Sequence, residues 1–246
     1  MELKEAVVMV TGASQRVGRE ICLALAEKGA SVVVHYHSNE KEAERTASAV
    51  RQIGSEAIAL QADLRHKADI EHLVATTIAH FGRWDALINN ASLFSTVPIQ
   101  DIDEKQWDAD QDLHVKAPFF LSQALYMHRK ERDYNYAASI VNITDTLVYR
   151  RPISRPSYNL AKSALAEQVK VLAKSLGPLV RVNAVAPGAI MANSAADTAY
   201  FERLAATLPL KKLATVADVV SSVLFLLTTD SITAEQLVVD CGEQLL

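Results

Sequence analysis

The chain has 246 residues, half of them hydrophobic and few aromatic, which suits a single α/β domain around a large aliphatic core. Its formal net charge of −4 gives no electrostatic case for binding nucleic acid or an anionic membrane. No apolar run approaches the roughly 20 residues of a membrane span, and Met1 to Glu5 lead straight into a strand pattern without an export signal, so a cytoplasmic protein is expected.

Ala6 to Val10 is a continuous apolar run and reads as a buried strand. Thr11 to Gly18 forms a glycine-containing turn, and a helix follows from about Val17 to Lys28, closed by Gly29. Such a helix start offers free N–H groups and a positive dipole end to a phosphate. Gly12 allows the tight turn, and Gly18 lets helix and strand pack closely. Cys22 lies on the apolar face of this helix and reads as an inert buried thiol. It is far from Cys241, without metal-ligand spacing, so no metal site is expected.

Ser31 to His37 is the second strand, and Asn39 is placed to cap the helix that runs to about Ile53. In dinucleotide folds an acid near this strand end binds the adenosine ribose. Here the segment reads His35-Tyr36-His37-Ser38-Asn39, with no carboxylate to repel a 2′-phosphate, which favours NADP over NAD. The histidines can equally be solvated residues of a strand end.

Ala57 to Gln61 is the third strand, ending at Asp63-Leu64, and a helix from Lys67 to Phe81 stops at Gly82. Trp84 to Asn89 is the fourth, running into Asn90-Ala91-Ser92-Leu93-Phe94. Asparagines at the end of a buried strand need partners, and fixing neighbouring strands is one use for them. Asp103 to Arg132 is helical, with a bend expected at Pro118. Ser139 to Ile143, Val180 to Val185 and Glu235 to Asp240 complete seven strands. The alternation of strands and helices implies a doubly wound parallel sheet covered on both faces, a Rossmann fold, in one domain over residues 1–246. Residues 191–210 carry no strand pattern and read as a mobile substrate lid.

Ser157-Tyr158-Asn159-Leu160-Ala161-Lys162 opens the helix between the fifth and sixth strands. Residues four apart share a helix face, so Tyr158 and Lys162 point the same way. An ammonium one turn away favours the phenolate, which makes the pair a candidate general acid/base. Taken alone, such a pair is more often the ordinary edge of an amphipathic helix; the rest of the chain overturns that reading.

Together these motifs resemble the short-chain dehydrogenase/reductase family: Thr11-Gly12…Gly18, Asp63, Asn90-Ala91, Tyr158…Lys162 and Pro187-Gly188. The resemblance implies a nicotinamide cofactor, with Tyr158 as the acid and Lys162 binding the nicotinamide ribose and lowering the tyrosine pKa. It places Asp63 and Leu64 at the adenine, Asn90 on the adenosine side, and Pro187, Gly188 and Ile190 at the nicotinamide amide. Further cofactor contacts would come from Gly12, Arg16, Val17, Gly18, His35, Tyr36, His37, Ser38, Asn39, Ala91, Ser92 and Ile143. A homotetramer, packed through the Tyr158 helix and the helix before the fifth strand, is also implied.

The sequence departs from the wider family in several places. Arg16 stands at the middle glycine of the turn, Asp145 at the usual catalytic serine, Ser92 at a usual glycine, and His114 at a usual asparagine. The segment Asp240-Cys241-Gly242 likewise lacks the usual glycine pair. Arg16, His35-Tyr36-His37, Asn90 to Phe94 and Asp145 are similar to the pteridine reductases, and His114-Val115 with Ile143-Thr144-Asp145 to the dihydromonapterin reductases. By that resemblance Phe94 stacks on a pterin ring, and Arg16 and Ser92 hydrogen-bond the pterin or a cofactor phosphate. Tyr158 and Asp145 would then supply the proton, an ionised Asp145 accepting from pterin N–H groups and relaying a proton with Tyr158, with His114 a further substrate-site residue or only a kink residue. The expected activity is NADPH-dependent reduction of a dihydropterin. The alternatives are a carbonyl reductase and a catalytically idle NADP sensor; the intact Tyr158 and Lys162 weigh against the second.

Overall fold

The computed structural model describes residues 1–94, 96–132, 134, 136–190 and 198–246. Seven parallel strands form one sheet in the order β3-β2-β1-β4-β5-β6-β7. They are β1 (Val7–Val10), β2 (Ser31–Tyr36), β3 (Ala57–Gln61), β4 (Ala86–Asn89), β5 (Ala138–Ile143), β6 (Val180–Pro187) and β7 (Gln236–Val239). The helices are α1 (Arg16–Glu27), α2 (Glu40–Ile53), α3 (Lys67–Phe81), α4 (Glu104–Gln111), α5 (Ala117–Lys130), α6 (Leu147–Arg150), α7 (Pro156–Leu176), α8 (Thr198–Thr207) and α9 (Val216–Thr228).

Buried aliphatic residues alternate between the two faces of the central strands. Val8 and Val10 of β1 join a core with α1, α2 and α9, while Val7 and Met9 join one with α3, α5 and α7. This is the period of two expected of a strand covered on both sides. Strand order reverses between β1, whose Val10 pairs with Ile88, and β4. At such a switch point the carboxyl ends of the strands open a crevice for a ligand.

Two local expectations are corrected. Asn39 holds the N-cap position of α2, but its side chain makes no capping hydrogen bond; only its carbonyl accepts from Ala43 N, at 3.1 Å. The break in the long helical region comes before Pro118, as a π-helical segment over Asp112–Lys116 that contains His114. Pro118 then sits in the first turn of α5. Having no N–H, it cannot bond the carbonyl of His114 four residues earlier, so the regular ladder cannot run through this point.

Of the expected lid, residues 191–197 lie outside the described residues, and α8 occupies most of the remainder, with Leu204 and Leu208 buried. Among the described residues no helix is long and apolar enough to cross a membrane. No cluster of three or more His, Cys, Asp or Glu is arranged to hold a metal ion among them either.

Candidate active site

The turn after β1 is held by side chains from neighbouring strand ends. Gly12 has φ +62°, and a Cβ there would meet Ala91 Cα at 2.8 Å. At Gly18 a Cβ would lie 2.5 Å from Gly12 O and 2.7 Å from Asn90 Nδ2, so α1 can approach the turn only with hydrogen at that position. Asn90 Nδ2 donates to Thr11 O at 2.8 Å and to Gly12 O at 3.0 Å. Asn89 Nδ2 donates to Asn142 Oδ1 at 2.8 Å, tying β4 to β5. The asparagine pair is therefore largely spent on bracing.

His35 corrects an expectation. Its ring is buried; Nδ1 accepts from Gly12 N at 3.1 Å and Nε2 donates to Ala62 O at 3.1 Å. Burial pulls its pKa down to about 4, so the ring is neutral near pH 7 and has no free nitrogen for a phosphate. His37, by contrast, is exposed, 3.6 Å from the Asp63 carboxylate. Ser38 and Asn39 are also exposed. Arg65 forks onto Asp63, with contacts of 2.6 to 3.2 Å, and this hydrogen bonding holds that carboxyl well below the usual range. Leu64 beside it is buried. The pairing of Arg65 with Asp63 was not anticipated from the sequence.

Arg16 takes φ +56°, the left-handed conformation that favours glycine, and is exposed. Cys241 likewise has φ +55°. At both positions a side chain occupies backbone suited to the glycine found in the wider family. The first turn of α1 carries no acidic residue, and Gln15 at its N-cap makes no side-chain cap. This open, positive helix start beside Gly12 is the donor set a dinucleotide pyrophosphate requires.

The catalytic candidates meet on the other side of the switch point. Tyr158 OH donates to Asp145 Oδ2 at 2.6 Å, and Asp145 Oδ1 accepts from Leu147 N at 2.8 Å. Lys162 Nζ donates to Ile143 O at 2.8 Å and lies 5.8 Å from the centre of the Tyr158 ring. Ile143 thus enters the site through its carbonyl. Lys162 is buried and makes that one hydrogen bond among the described residues, leaving ammonium N–H groups for a ribose hydroxyl, and burial lowers its pKa to about 8.

The Tyr158 phenol differs from the expectation of a lowered pKa. Burial, then the charge and hydrogen bond of Asp145, push the Tyr158 phenol well above its ordinary pKa. Burial also raises Asp145, against the hydrogen bonds from Tyr158 and Leu147 N and the Lys162 charge. The phenol therefore keeps its proton and donates it in a hydrogen bond to the Asp145 carboxyl.

His114 is buried beside them. Nδ1 donates to Asp110 O at 3.0 Å, while Nε2 accepts from Leu93 N at 3.3 Å and lies 3.0 Å from Ser92 Oγ. Its ring packs edge-on to Tyr158 at 5.2 Å, and burial lowers its pKa to about 3. Phe94 is half exposed, edge-on to Tyr158 at 5.4 Å. Arg155, three residues before Tyr158, stacks its guanidinium 3.6 Å over the Phe94 ring. Sequence reasoning missed Arg155; its one signal is a lone arginine at the start of the Tyr158 helix.

Pro187 ends β6, where its carbonyl accepts from Thr146 N at 3.0 Å. Gly188 N is spent on Val239 O at 3.0 Å, and Ala189 N on Glu243 Oε2 at 2.9 Å. A Cβ at Gly188 would meet Asp240 Cβ at 2.7 Å, which explains the glycine by close packing. Ile190 packs against the core formed with α1 and α9.

A doubly wound sheet with a braced glycine turn and a buried Tyr-x-x-x-Lys pair at one edge defines a nicotinamide-nucleotide oxidoreductase. Comparison with known proteins carries this further: residues 12–244 match the family model described as enoyl-(acyl carrier protein) reductase. The chain belongs to the short-chain dehydrogenase/reductase family. It is 32% identical to the ketoacyl reductase 2 assigned to the granaticin polyketide synthase of Streptomyces violaceoruber, over 98% of this chain and 96% of that one. It is similar to the solved structure of FolM alternative dihydrofolate reductase 1 from Brucella canis complexed with NADP, at 30% identity and TM-score 0.91, covering 100% of this chain and 97% of the other. It is also similar to the promiscuous reductase LugOII, which catalyses keto-reduction at C1 during lugdunomycin biosynthesis, at 28% identity and TM-score 0.90, covering 100% of both chains.

Proposed function

We propose that this oxidoreductase reduces a dihydropterin, or a dihydrofolate built on the same ring, to the tetrahydro form. The observation that carries the reading is the 2.6 Å hydrogen bond from Tyr158 to Asp145, a carboxyl at the position of the family's catalytic serine. NADP(H) is the cofactor: the FolM structure holds NADP. The open start of α1 and the acid-free His37-Ser38 strand end fit it here. Once bound, the nicotinamide supplies the hydride. Lys162 would hold the nicotinamide ribose, and the open N–H groups of α1 the pyrophosphate. Tyr158, hydrogen-bonded to Asp145, is the buried donor from which a ring nitrogen is protonated. Asp145 can accept from pterin N–H groups when ionised and donate when protonated. Phe94, half exposed beside Tyr158, offers the ring face on which a planar substrate stacks.

One observation favours a second reading. Burial raises the proton affinity of Asp145, and a protonated carboxyl can donate to a ketone oxygen as a serine would. The granaticin and LugOII relatives act in ketone reduction by their names. Following NADPH absorbance with dihydropterins, dihydrofolate and aromatic polyketide ketones separates the two. Turnover of a dihydropterin above that of every ketone is the expected result; the reverse order overturns it.

The protein is further proposed to be a cytoplasmic homotetramer. Phe119 and Met127 on α5 and Leu160 and Val171 on α7 are exposed apolar residues on the two helices through which it would pack. Light scattering on the eluted protein tests this, with a monomer as the overturning result.

A further inference from the structure

Arg155 stands at the mouth of the catalytic side with a charge that nothing answers. Arg65, Arg83, Arg129 and Arg150 each pair with a carboxylate, at 2.6 to 3.1 Å. Arg155 makes no such pair among the described residues, and its Nη1 is shut off from solvent without a hydrogen-bond partner. The carboxyl of the catalytic pair is already engaged, because Asp145 accepts from Tyr158 OH at 2.6 Å and from Leu147 N at 2.8 Å. What Arg155 does touch is the half-exposed ring of Phe94, 3.6 Å from its guanidinium carbon. The same ring meets Tyr158 edge-on at 5.4 Å.

The backbone fixes this placement. Arg155 is the N-cap residue of α7, and its carbonyl accepts from Asn159 N at 2.9 Å. A cation is unfavourable there, because the N-terminus is the positive end of the helix. The first turn of α7 has no acidic residue to compensate, and the N-cap side chain makes no capping hydrogen bond. A desolvated guanidinium nitrogen without an acceptor adds to the cost. An anion entering from outside would offset all three, because it would pair with the guanidinium, face the positive helix end and satisfy Nη1. A carboxylate fits best, since its two oxygens match the planar fork of an arginine. A ring substrate seated against Phe94 would share the phenyl with the guanidinium or displace it. Either way its substituents come within one side-chain length of Arg155.

We propose that Arg155 is a specificity-determining residue that binds a carboxylate carried on the ring substrate, and so favours acid-bearing substrates over neutral ones with the same ring. The proposal deepens the reading above and rests on it for the seating of the substrate against Phe94. For a dihydropterin ring it selects dihydrofolate, whose glutamate arm carries carboxylates, over a dihydropterin with a neutral side chain.

The test is steady-state kinetics at saturating NADPH for wild type, Arg155→Met and Arg155→Lys, on dihydrofolate and on dihydrobiopterin. Arg155→Met keeps an apolar stem for Phe94 and removes the charge. It is expected to raise KM for dihydrofolate about tenfold, the scale of a lost charge-assisted hydrogen bond, with kcat and the KM for dihydrobiopterin changed less than about twofold. Arg155→Lys keeps the charge without the fork and should fall between the two. Added salt should raise the wild-type KM for dihydrofolate and leave that of Arg155→Met unchanged. Equal KM increases for both substrates would overturn the proposal, leaving the guanidinium as packing on Phe94. A fall in kcat at unchanged KM would also overturn it, assigning Arg155 to Tyr158, whose phenol its charge reaches. Turnover of dihydrobiopterin but not of dihydrofolate by wild type would overturn it as well. Should ketones alone turn over, the pterin reading fails while this one is still decided. The same contrast is then read on an aromatic ketone bearing a carboxylate and on its methyl ester, with the same outcomes for and against.

Discussion

Two buried histidines flank the carboxyl edge of the sheet, and the difference between them separates scaffold from chemistry. His35, on the nucleotide side, gives both ring nitrogens to backbone, Gly12 N and Ala62 O. His114, on the catalytic side, gives one nitrogen to backbone and shares the other between Leu93 N–H and the Ser92 hydroxyl. Both are held neutral by desolvation, with pKa values of about 4 and about 3. Burial and a depressed pKa therefore do not distinguish them; the partners do. A histidine whose partners are all backbone can only brace. One that touches a side chain with a movable proton can take part in a reaction. The same contrast holds for Asn90, spent on the turn, and Asp145, bonded to Tyr158.

The comparison is tested hardest on the catalytic side. Asp145→Asn keeps the shape and an acceptor for Tyr158 but removes the carboxyl, and should lower kcat by about 10²-fold. Steady-state kinetics on the preferred substrate measures it; full activity would place Asp145 with the braces.

On the nucleotide side the effect should appear as stability. The folded pKa of His35 is depressed to about 4 from 6.5, so the unfolded chain binds the extra proton first as pH falls. Its contribution is fully present above about 6.5 and is lost on the way down towards 4. Between pH 7 and pH 5 this amounts to about 2 kcal/mol, following the linkage of about 1.36 kcal/mol per unit. Urea unfolding at both pH values should show a shallower dependence in His35→Gln than in wild type. Equal dependence would mean that His35 titrates freely in the fold.

Cofactor choice should follow the acid-free strand end beyond His35. NADPH should bind at least about tenfold, or roughly 1.4 kcal/mol, more tightly than NADH. Ser38→Asp should erase that preference by like-charge repulsion of the 2′-phosphate. Direct titration with both nucleotides checks this, and equal affinities for the wild type would contradict it.

The smallest effect is expected at the rim of the catalytic side. Phe94 carries Arg155 over its ring and stands edge-on to Tyr158. Phe94→Ala should raise KM for the ring substrate about fivefold, on the scale of about 1 kcal/mol for aromatic stacking, while leaving NADPH affinity unchanged. An unchanged KM would leave Phe94 as packing only.

The strand and helix order was legible because it is written in local periodicity. Apolar runs marked the central strands, and glycines at positions 29 and 82 stood where the chain turns left-handed, at φ +79° and +70°. Tyr158 and Lys162 were placed on one face by a four-residue spacing that needs no tertiary knowledge. Less legible was the helix break. Pro118 marked its neighbourhood, but the extra residue is absorbed upstream in a π-helical segment, which is also what brings His114 into the site. Arg155 was missed because a lone arginine at a helix start carries no periodic signal, and only its 3.6 Å contact with Phe94 reveals it.

From the sequence alone followed the doubly wound fold, the glycine turn against the first strand, and the residue types available at the sheet's carboxyl edge. Which of those residues work as braces, and which hold protons, was decided by the tertiary structure. The partners lie far along the chain, as where Asn90 reaches Thr11 across 79 positions, so no local pattern encodes them. Charge states depend on the same long-range packing. A helix spacing alone implies that Lys162 lowers the Tyr158 pKa. In the folded protein Lys162 turns to Ile143 O, and Tyr158 is buried against Asp145. Desolvation and a neighbouring carboxyl outweigh an ammonium that is not in direct contact, and the phenol keeps its proton.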